Sequence, residues 1–306
     1  MQKSDSIQKP SNDRMLNIGC GRRYHHDWVN LDLESNDSSV IRHDINKGIP
    51  FDQGQFAAVY HSHILEHLDP GDGQKLIQEC YRVLKPGGIL RIVVPDLECI
   101  ARLYLEMHQE AWLGDETSQI NYNWMKLELL DQLVRRDSGG RMGRYMASRE
   151  IKNSEFVKSR LGDEFSVCQT HGQTGPLASL PLLQRLGRMS SGLRRNISRG
   201  LVRLLLGAEA VVAFDEGLFR CEGEIHRWMY DRFSLRNLTE SVGFENFTIC
   251  DAFESQISDY ASYELDAVDE LVRKPDSIFV ECQKPLNVAT GVKVDSDESE
   301  PSRIAA

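Results

Sequence analysis

The chain has 306 residues, of which 41% are apolar and 27% charged. That is enough for one large or two modest folded domains with a substantial core. A net charge of −10 argues against general affinity for nucleic acid. The seven cysteines (20, 80, 99, 168, 221, 250, 282) are scattered and include no C-x-x-C pair, so reduced thiols in a cytoplasmic protein are expected rather than a disulfide framework or structural zinc.

Residues 1–13 are polar, without an apolar core for a signal peptide, and are expected to be disordered. No run approaches the roughly 18 apolar residues of a membrane span. Leu16 and Ile18 then form a short buried strand that runs into Gly19-Cys20-Gly21, where the absence of Cβ atoms lets the backbone turn and approach a ligand. Val29, Leu31 and Leu33 alternate with polar residues as a second strand. The link between the two is too short for a full crossover helix, so the first helix is reduced to a turn. No third glycine completes a dinucleotide fingerprint, since Tyr24 or His25 stands in its place. Val40 to Asp44 is a third strand ending in a carboxylate. Phe56 to Ser62 is a fourth, apolar enough to be central. A helical turn from His63 to Leu68 is stopped by Asp69-Pro70-Gly71-Asp72-Gly73, an amphipathic helix runs from Gln74 to Leu84, and Lys85-Pro86-Gly87-Gly88 ends it. Ile89 to Asp96 is the fifth strand.

A helix from Leu97 to about Glu110 comes next, then a change of pattern. Tyr122 to Arg135 is helical, Gly139 and Gly140 interrupt the chain after it, and residues 150–180 show no period. Leu182 to Ala213 is apolar with six arginines, Arg185 to Arg203, and no acid occurs between Glu164 and Glu209. Ser234 is the expected N-cap of a helix over Leu235 to Val242 that Gly243 ends. Asn246 to Cys250 and Ser277 to Cys282 are two late strands, read as an antiparallel pair at the sheet edge. The division expected is 1–13 disordered, 14–109 core, 110–221 helical insertion or cap, 222–285 the rest of the core, and 286–306 a polar, acidic, disordered tail. The fold class is α/β: a Rossmann-like, doubly wound, mostly parallel seven-stranded sheet with an antiparallel edge strand, helices on both faces, and a helical insertion after strand 5.

Several side chains suggest chemistry. Asp32 and Asp44, at successive strand ends after a Gly-x-Gly loop, offer acceptor-only groups to a nucleoside; the bland alternative is a turn residue satisfying local amides. His61 and Ser62 lie at the exit of the fourth strand. His63, Glu66 and His67 fall on one face if that turn is helical. His63 is a candidate general base, because a neutral imidazole takes a proton near pH 7. The trio also reads as H-x-x-E-H of a metal-dependent hydrolase, which needs a third ligand from another element. Bracing of the turn by Glu66 and His67 is preferred to metal binding, and no metal ligand is assigned. His226-Arg227-Trp228-Met229-Tyr230 either reaches the acceptor pocket or packs in the core through Trp228 and Met229. Trp124, Arg135, Arg136, Arg141 and Arg144 are weighed as contacts to a sugar or phosphate against a solvated helix face.

In their order, Leu16-Asn17-Ile18-Gly19-Cys20-Gly21, Asn30-Leu31-Asp32-Leu33, His43-Asp44-Ile45, Leu65-Glu66-His67-Leu68 and Leu84-Lys85-Pro86-Gly87-Gly88 resemble class I S-adenosylmethionine-dependent methyltransferases. The likeness is to the branch with a shortened first helix associated with surface polysaccharide and glycoconjugate biosynthesis, and it covers about residues 14–109 and 226–283. It implies S-adenosyl-L-methionine as cofactor, bound by Gly19, Cys20, Gly21, Asp32, Leu33, Asp44, Ile45, His61 and Ser62. It also implies O-methylation of a sugar or glycan-related small molecule, with His63 and His67 as catalytic candidates. Alternatives carried with it are the hydrolase and a catalytically silent binding module of the same fold. No nucleic-acid partner is expected. The chain is expected in the cytoplasm, with Arg185 to Arg203 as a peripheral contact to an anionic membrane; oligomeric state is left open.

Overall fold

The computed structural model describes residues 13–35, 37–148, 150–162, 165, 182–221 and 223–286, with the side chains of 182–193 excepted. The expectations for 1–12, for 166–181 and for 287–306 lie outside the described residues. Seven strands make one sheet: β1 (Arg14–Ile18), β2 (Val29–Asp32), β3 (Val40–Arg42), β4 (Phe56–Ser62), β5 (Leu84–Pro95), and then, late in the chain, β6 (Glu245–Cys250) and β9 (Ser277–Gln283). Their order is β3-β2-β1-β4-β5-β9-β6. The first five are parallel, and β9 runs against both β5 and β6, so the antiparallel pairing expected at this edge is present.

Burial explains the order. Leu16, Ile18, Val59, Leu90, Ile92, Val93 and Val94 have no exposed surface, as central strands covered on both faces require. The sequence of strands reverses between β1 and β4, and that reversal opens a crevice at their carboxyl ends, where ligands of open α/β sheets sit. One face is covered by α1 (Pro70–Val83) and α8 (Arg232–Val242), whose Leu76, Ile77, Cys80, Val83 and Leu235 join the core. Helices were expected on both faces. The other face is covered instead by the segment 251–276, which carries a 3-10 turn at Tyr260–Tyr263 and a hairpin of β7 (Ala267–Val268) and β8 (Leu271–Val272). Its Ala252, Ile257, Tyr260 and Leu265 pack on Trp28, Tyr60, Val93 and Phe279. Sequence patterning alone assigns this segment no structure.

Local chemistry shifts three expected boundaries. Asp69-Pro70 starts α1 rather than stopping a turn, because Pro70 at the first helical position loses no intrahelical bond. Lys85 to Gly88 lies inside β5 as a bulge: pairing jumps from Phe56↔Leu84 to Ala58↔Ile89, and Gly88 permits it, since a Cβ there would meet the Lys85 carbonyl oxygen at 2.9 Å. Asp231, not Ser234, caps α8; Ser234 is the N3 partner of a capping box, its hydroxyl accepting from the Asp231 amide at 2.9 Å.

The loop between β1 and β2 holds no helix, as its length implied. Two buried amides support it instead. Asn17 Nδ2 donates to the Arg23 carbonyl at 3.0 Å, and Asn30 Nδ2 donates to those of His25 and Trp28 at 3.0 and 2.9 Å. These bonds satisfy loop carbonyls that a helix would have satisfied internally.

After β5 come α2 (Leu97–Trp112), α3 (Glu116–Val134), α4 (Gly140–Met146) and α5 (Ser154–Leu161), sharing a second core of Ile100, Trp124, Met125, Met142, Met146, Val157 and Leu161. A buried Arg160–Glu128 pair at 2.6 Å crosses it. Then α6 (Leu182–Leu206) folds against α7 (Ala208–Cys221). Among the described residues no helix is long and apolar enough to cross a membrane.

Candidate functional site

A cavity of about 380 Å³ opens at the carboxyl ends of β1 and β4. Its floor is Asn17 and the loop Gly19 to Arg23; Tyr60, Ser62 and His63 form one wall, and Leu265, Asp266, Arg273 and Lys274 form another. Both loop glycines have left-handed φ, +64° and +52°. Their space differs. A Cβ on Gly19 would lie 2.1 Å from Ile64 Cδ1, whereas one on Gly21 would meet nothing within 4 Å. Gly19 therefore lets Ile64 close on the loop, and Gly21 leaves the floor open to a ligand. Cys20 is a buried thiol, its pKa pushed up to about 12 by burial and then by the charge of Asp32, so it lines the cavity without being a thiolate.

Asp32 holds the loop from beneath. Its Oδ2 accepts from the Gly21 amide at 2.8 Å and its Oδ1 from the Glu34 amide at 2.9 Å, and each oxygen keeps a lone pair for a further donor. Asp44 Oδ1 accepts from the Asn46 amide at 3.1 Å and caps the 3-10 turn Ile45–Lys47, which is the turn-residue role weighed beside the nucleoside role. Asp32, Leu33, Asp44 and Ile45 are not among the groups lining the cavity. Leu33 is exposed, and Ile45 packs on the core.

Strand alternation corrects the reading of β4. Tyr60 and Ser62 face the cavity, and His61 between them does not. Successive side chains within a strand point to opposite faces, so His61 turns away from the wall that Tyr60 and Ser62 share, while His63 lies beyond the end of β4. His61 is fully buried, neither ring nitrogen has a hydrogen-bond partner, and its pKa falls to about 4 because burial outweighs the nearby Glu66 charge.

The expected helical face of His63, Glu66 and His67 is not formed as such. His63 sits at φ 54°, ahead of a single 3-10 turn at Leu65–His67. Its Nδ1 still lies 3.0 Å from Glu66 Oε1, while Nε2 lies 2.9 Å from Ser277 Oγ. His63 lines the cavity. His67 does not; its Nδ1 is 3.1 Å from the Ile225 carbonyl oxygen. His226 is buried beside it, with ring centroids 4.8 Å apart, and its pKa falls to about 3, chiefly through burial.

Other candidates resolve plainly. Trp124 is fully buried and donates to Glu128 at 2.8 Å, so it is a core residue and no sugar platform. Arg135 pairs with Glu224 and Asp131, Arg136 with Glu216, and Arg144 with Asp137. Trp228 is exposed rather than in the core, while Met229 packs against the helical cluster.

The wall from 251–276 escapes a reading of the sequence. Arg91, without exposed surface, ties it down: Nε donates to Asp266 at 2.8 Å and Nη1 to Glu281 at 2.8 Å, and further bonds reach the carbonyls of Glu254 and Asp251. Tyr60 and Tyr260 donate to the two oxygens of Asp266 at 2.6 and 2.7 Å. An arginine in the middle of an apolar fifth strand was the available signal, because a buried charge demands partners.

Residues 16–92, about a quarter of the chain, match a family model described as a methyltransferase domain. A comparison with curated proteins found no match. Among solved structures, the chain is similar to a SAM-dependent methyltransferase of Methanosarcina mazei (14% identity, 90% of this chain and 94% of that one, TM-score 0.38). It is also similar to one of Archaeoglobus fulgidus (12%, 90% and 87%, 0.34). A third, from Thermotoga maritima, is described as a possible histamine N-methyltransferase (11%, 89% and 81%, 0.35). Likeness at these scores carries no weight for activity or substrate. The matched residues run from β1 into β5 and include the glycine loop and the β4 exit that line the cavity, so the likeness to a methyltransferase domain falls on this site.

Proposed function

We propose that the protein is a methyltransferase that takes its methyl group from S-adenosyl-L-methionine and transfers it to an oxygen of a sugar or glycan-related small molecule bound in the cavity above Gly19 to Arg23. The observation that carries this reading is the cavity itself. It brings the open glycine floor, the Ser62 hydroxyl and the His63 imidazole together beneath a wall bearing Asp266, Arg273 and Lys274. The sulfonium already activates the methyl, so the protein has to align an oxygen nucleophile with it. His63 is the group beside the cavity that takes the acceptor's proton, with Glu66 behind it to stabilise the imidazolium that results. Asp32, already fixed by two amides, has lone pairs left for ribose hydroxyls. Asp44 and the Ile45 backbone serve the adenine side. Arg22, Arg23, Arg273 and Lys274 line the cavity, and cationic side chains there suit the donor's carboxylate or a phosphate on the acceptor.

Calorimetry with S-adenosylhomocysteine, followed by radiolabel transfer to a panel of sugar nucleotides, tests the reading. Binding that weakens in Asp32→Ala, with label on a sugar oxygen, is expected. No binding and no effect of Asp32→Ala refutes the donor site; binding without transfer to any sugar refutes the acceptor.

The helix α6 is a second element of this reading. Arg194, Arg199 and Arg203 share it with exposed Ile197, Leu201, Leu204, Leu205 and Leu206, the composition of a helix that lies on an anionic membrane surface. Arg195 and Arg199 also reach Asp215 of α7 at 3.8 and 3.0 Å. Co-sedimentation with anionic vesicles is expected, and its absence removes the membrane contact.

A further inference from the structure

Glu66 has no exposed surface, and neither of its carboxylate oxygens accepts a directed hydrogen bond. A buried carboxylate in that condition needs positive charge close by. His63 answers for one oxygen, at 3.0 Å, and leaves the other without a partner. His226, also buried, has a partnerless Nδ1. His67 is set in a defined way: a carbonyl oxygen only accepts, so the 3.1 Å contact to Ile225 fixes the proton of the neutral ring on Nδ1 and leaves Nε2 as a bare lone pair. One donor atom from each of Glu66, His67 and His226 lies within 4.8 Å of the other two.

We propose that Glu66, His67 and His226 are the protein ligands of a divalent transition-metal ion of the imidazole-binding kind, with Zn2+ as the representative. Two neutral imidazoles and one carboxylate suit such ions; Mg2+ and Ca2+ prefer all-oxygen shells. Bonds of about 2.1 Å bring tetrahedral ligand atoms to roughly 3.4 Å apart, so modest side-chain rotation closes the site.

The backbone is arranged for this. The amides of Arg227 and Trp228 donate to the Glu66 carbonyl at 2.7 and 3.2 Å, and the His226 amide donates to the Gln132 carbonyl at 3.0 Å. Two ligands from the turn after β4 thereby meet a third from a segment far along the chain. This is the ligand from another element that the H-x-x-E-H reading required, and it replaces His63 in the set. The ion joins the turn carrying His63 to the segment leading into α8, so it steadies one wall of the cavity from behind. Bracing by Glu66 and His67 alone leaves the free Glu66 oxygen and the His226 nitrogen unexplained.

The full-length protein is stripped with a chelator, loaded with Co2+ or Zn2+, desalted, and analysed for metal content and for Co2+ visible absorption. Wild type is expected to hold about one equivalent per chain with the bands of a nitrogen- and oxygen-ligated Co2+ ion. Glu66→Gln and His226→Asn are each expected to lose affinity at least about tenfold, with circular dichroism confirming that they fold. Wild type that retains neither metal overturns the proposal, whether or not the variants fold; so does metal retained equally by wild type and by both folded variants. S-adenosylhomocysteine calorimetry on the same preparation keeps the outcome separate from that of the donor site, because none of the three ligands lines the cavity.

Discussion

Replacing Arg91 by methionine tests how the far wall of the cavity is held. Arg91 faces two carboxylates, Asp266 and Glu281, each at 2.8 Å and each essentially unexposed. Removing the guanidinium leaves two buried charges without a cation. The cost of breaking a buried pair by deleting one partner is about 3–5 kcal/mol. The lower half of that range is expected, because both carboxylates keep other donors. Asp266 keeps the hydroxyls of Tyr60 and Tyr260, and Glu281 keeps the Gln256 amide at 2.8 Å and the Ser255 hydroxyl. Against a typical total of about 5–15 kcal/mol, such a loss is large.

Urea unfolding gives the stability, and S-adenosylhomocysteine calorimetry the state of the wall. Arg91→Met is expected to lose about 3 kcal/mol and to weaken binding about tenfold or more, equivalent to about 1.4 kcal/mol, because Asp266, Arg273 and Lys274 line the cavity. Asp266→Asn costs less, about 1–2 kcal/mol, since Arg91 and Glu281 then balance one to one. Combining Arg91→Met with Asp266→Asn and Glu281→Gln recovers most of the stability, as no uncompensated charge remains. A loss below about 1 kcal/mol in Arg91→Met, or a triple variant no better than the single, refutes the account of the network as charge pairing.

The two loop glycines separate packing from ligand approach. Gly19→Ala, with a Cβ 2.1 Å from Ile64 Cδ1 at positive φ, is expected to cost about 3 kcal/mol, and Ile64→Ala in the same chain relieves part of it. Gly21→Ala meets open space and costs about 1–2 kcal/mol of strain, with its main effect on S-adenosylhomocysteine affinity. Thiol titration at pH 8 is expected to label exposed Cys221 well before Cys20, whose pKa of about 12 keeps it protonated; equal rates contradict that environment. His61 makes stability fall on acidification. Its pKa drops from 6.5 to about 4 on folding, so its contribution is complete above the unfolded value and is lost as the unfolded chain takes up a proton that the folded chain refuses. Between pH 7.5 and pH 5 the loss is about 2 kcal/mol, and His61→Asn is expected to flatten that slope in urea midpoints.

The sheet was legible because its evidence is local and periodic. Alternating Val29-Asn30-Leu31 and the unbroken apolar run Ile92-Val93-Val94 each declare a strand, although Asn30 is as buried as Leu31 because it holds the preceding loop. The short spacing from Gly21 to Asp32 declared the missing helix. The same rule, applied strictly, predicts that Tyr60 and Ser62 share a wall and that His61 faces away. Helix starts were misread where Pro70 and Ser234 have two meanings, breaker or first-turn residue and cap or N3 partner; the neighbours Asp69 and Asp231 decide between them only once the backbone geometry is known.

The wall at 251–276 was illegible for a different reason. It is fixed on the sheet by an arginine, two carboxylates and two tyrosine hydroxyls as well as by apolar contacts, and polar anchoring leaves no hydrophobic period along the chain. The imidazole cluster is equally silent, since His226 meets Glu66 only through a fold that joins distant segments. Strand β4 connects the two: Tyr60 bonds Asp266 on one face, and His61 senses the charge of Glu66 on the other. The cavity therefore lies between two assemblies of buried charge, each joining a β4 neighbour to a segment from the last third of the chain. Buried charge is costly unless its geometry is kept, so each assembly ties the position of a late segment to the integrity of β4 and its exit turn. The cavity floor, built from backbone and glycine, needs no such tie. The walls around it do, and disrupting either assembly should disturb ligand binding in the cavity before it disturbs the fold of β1 and its loop.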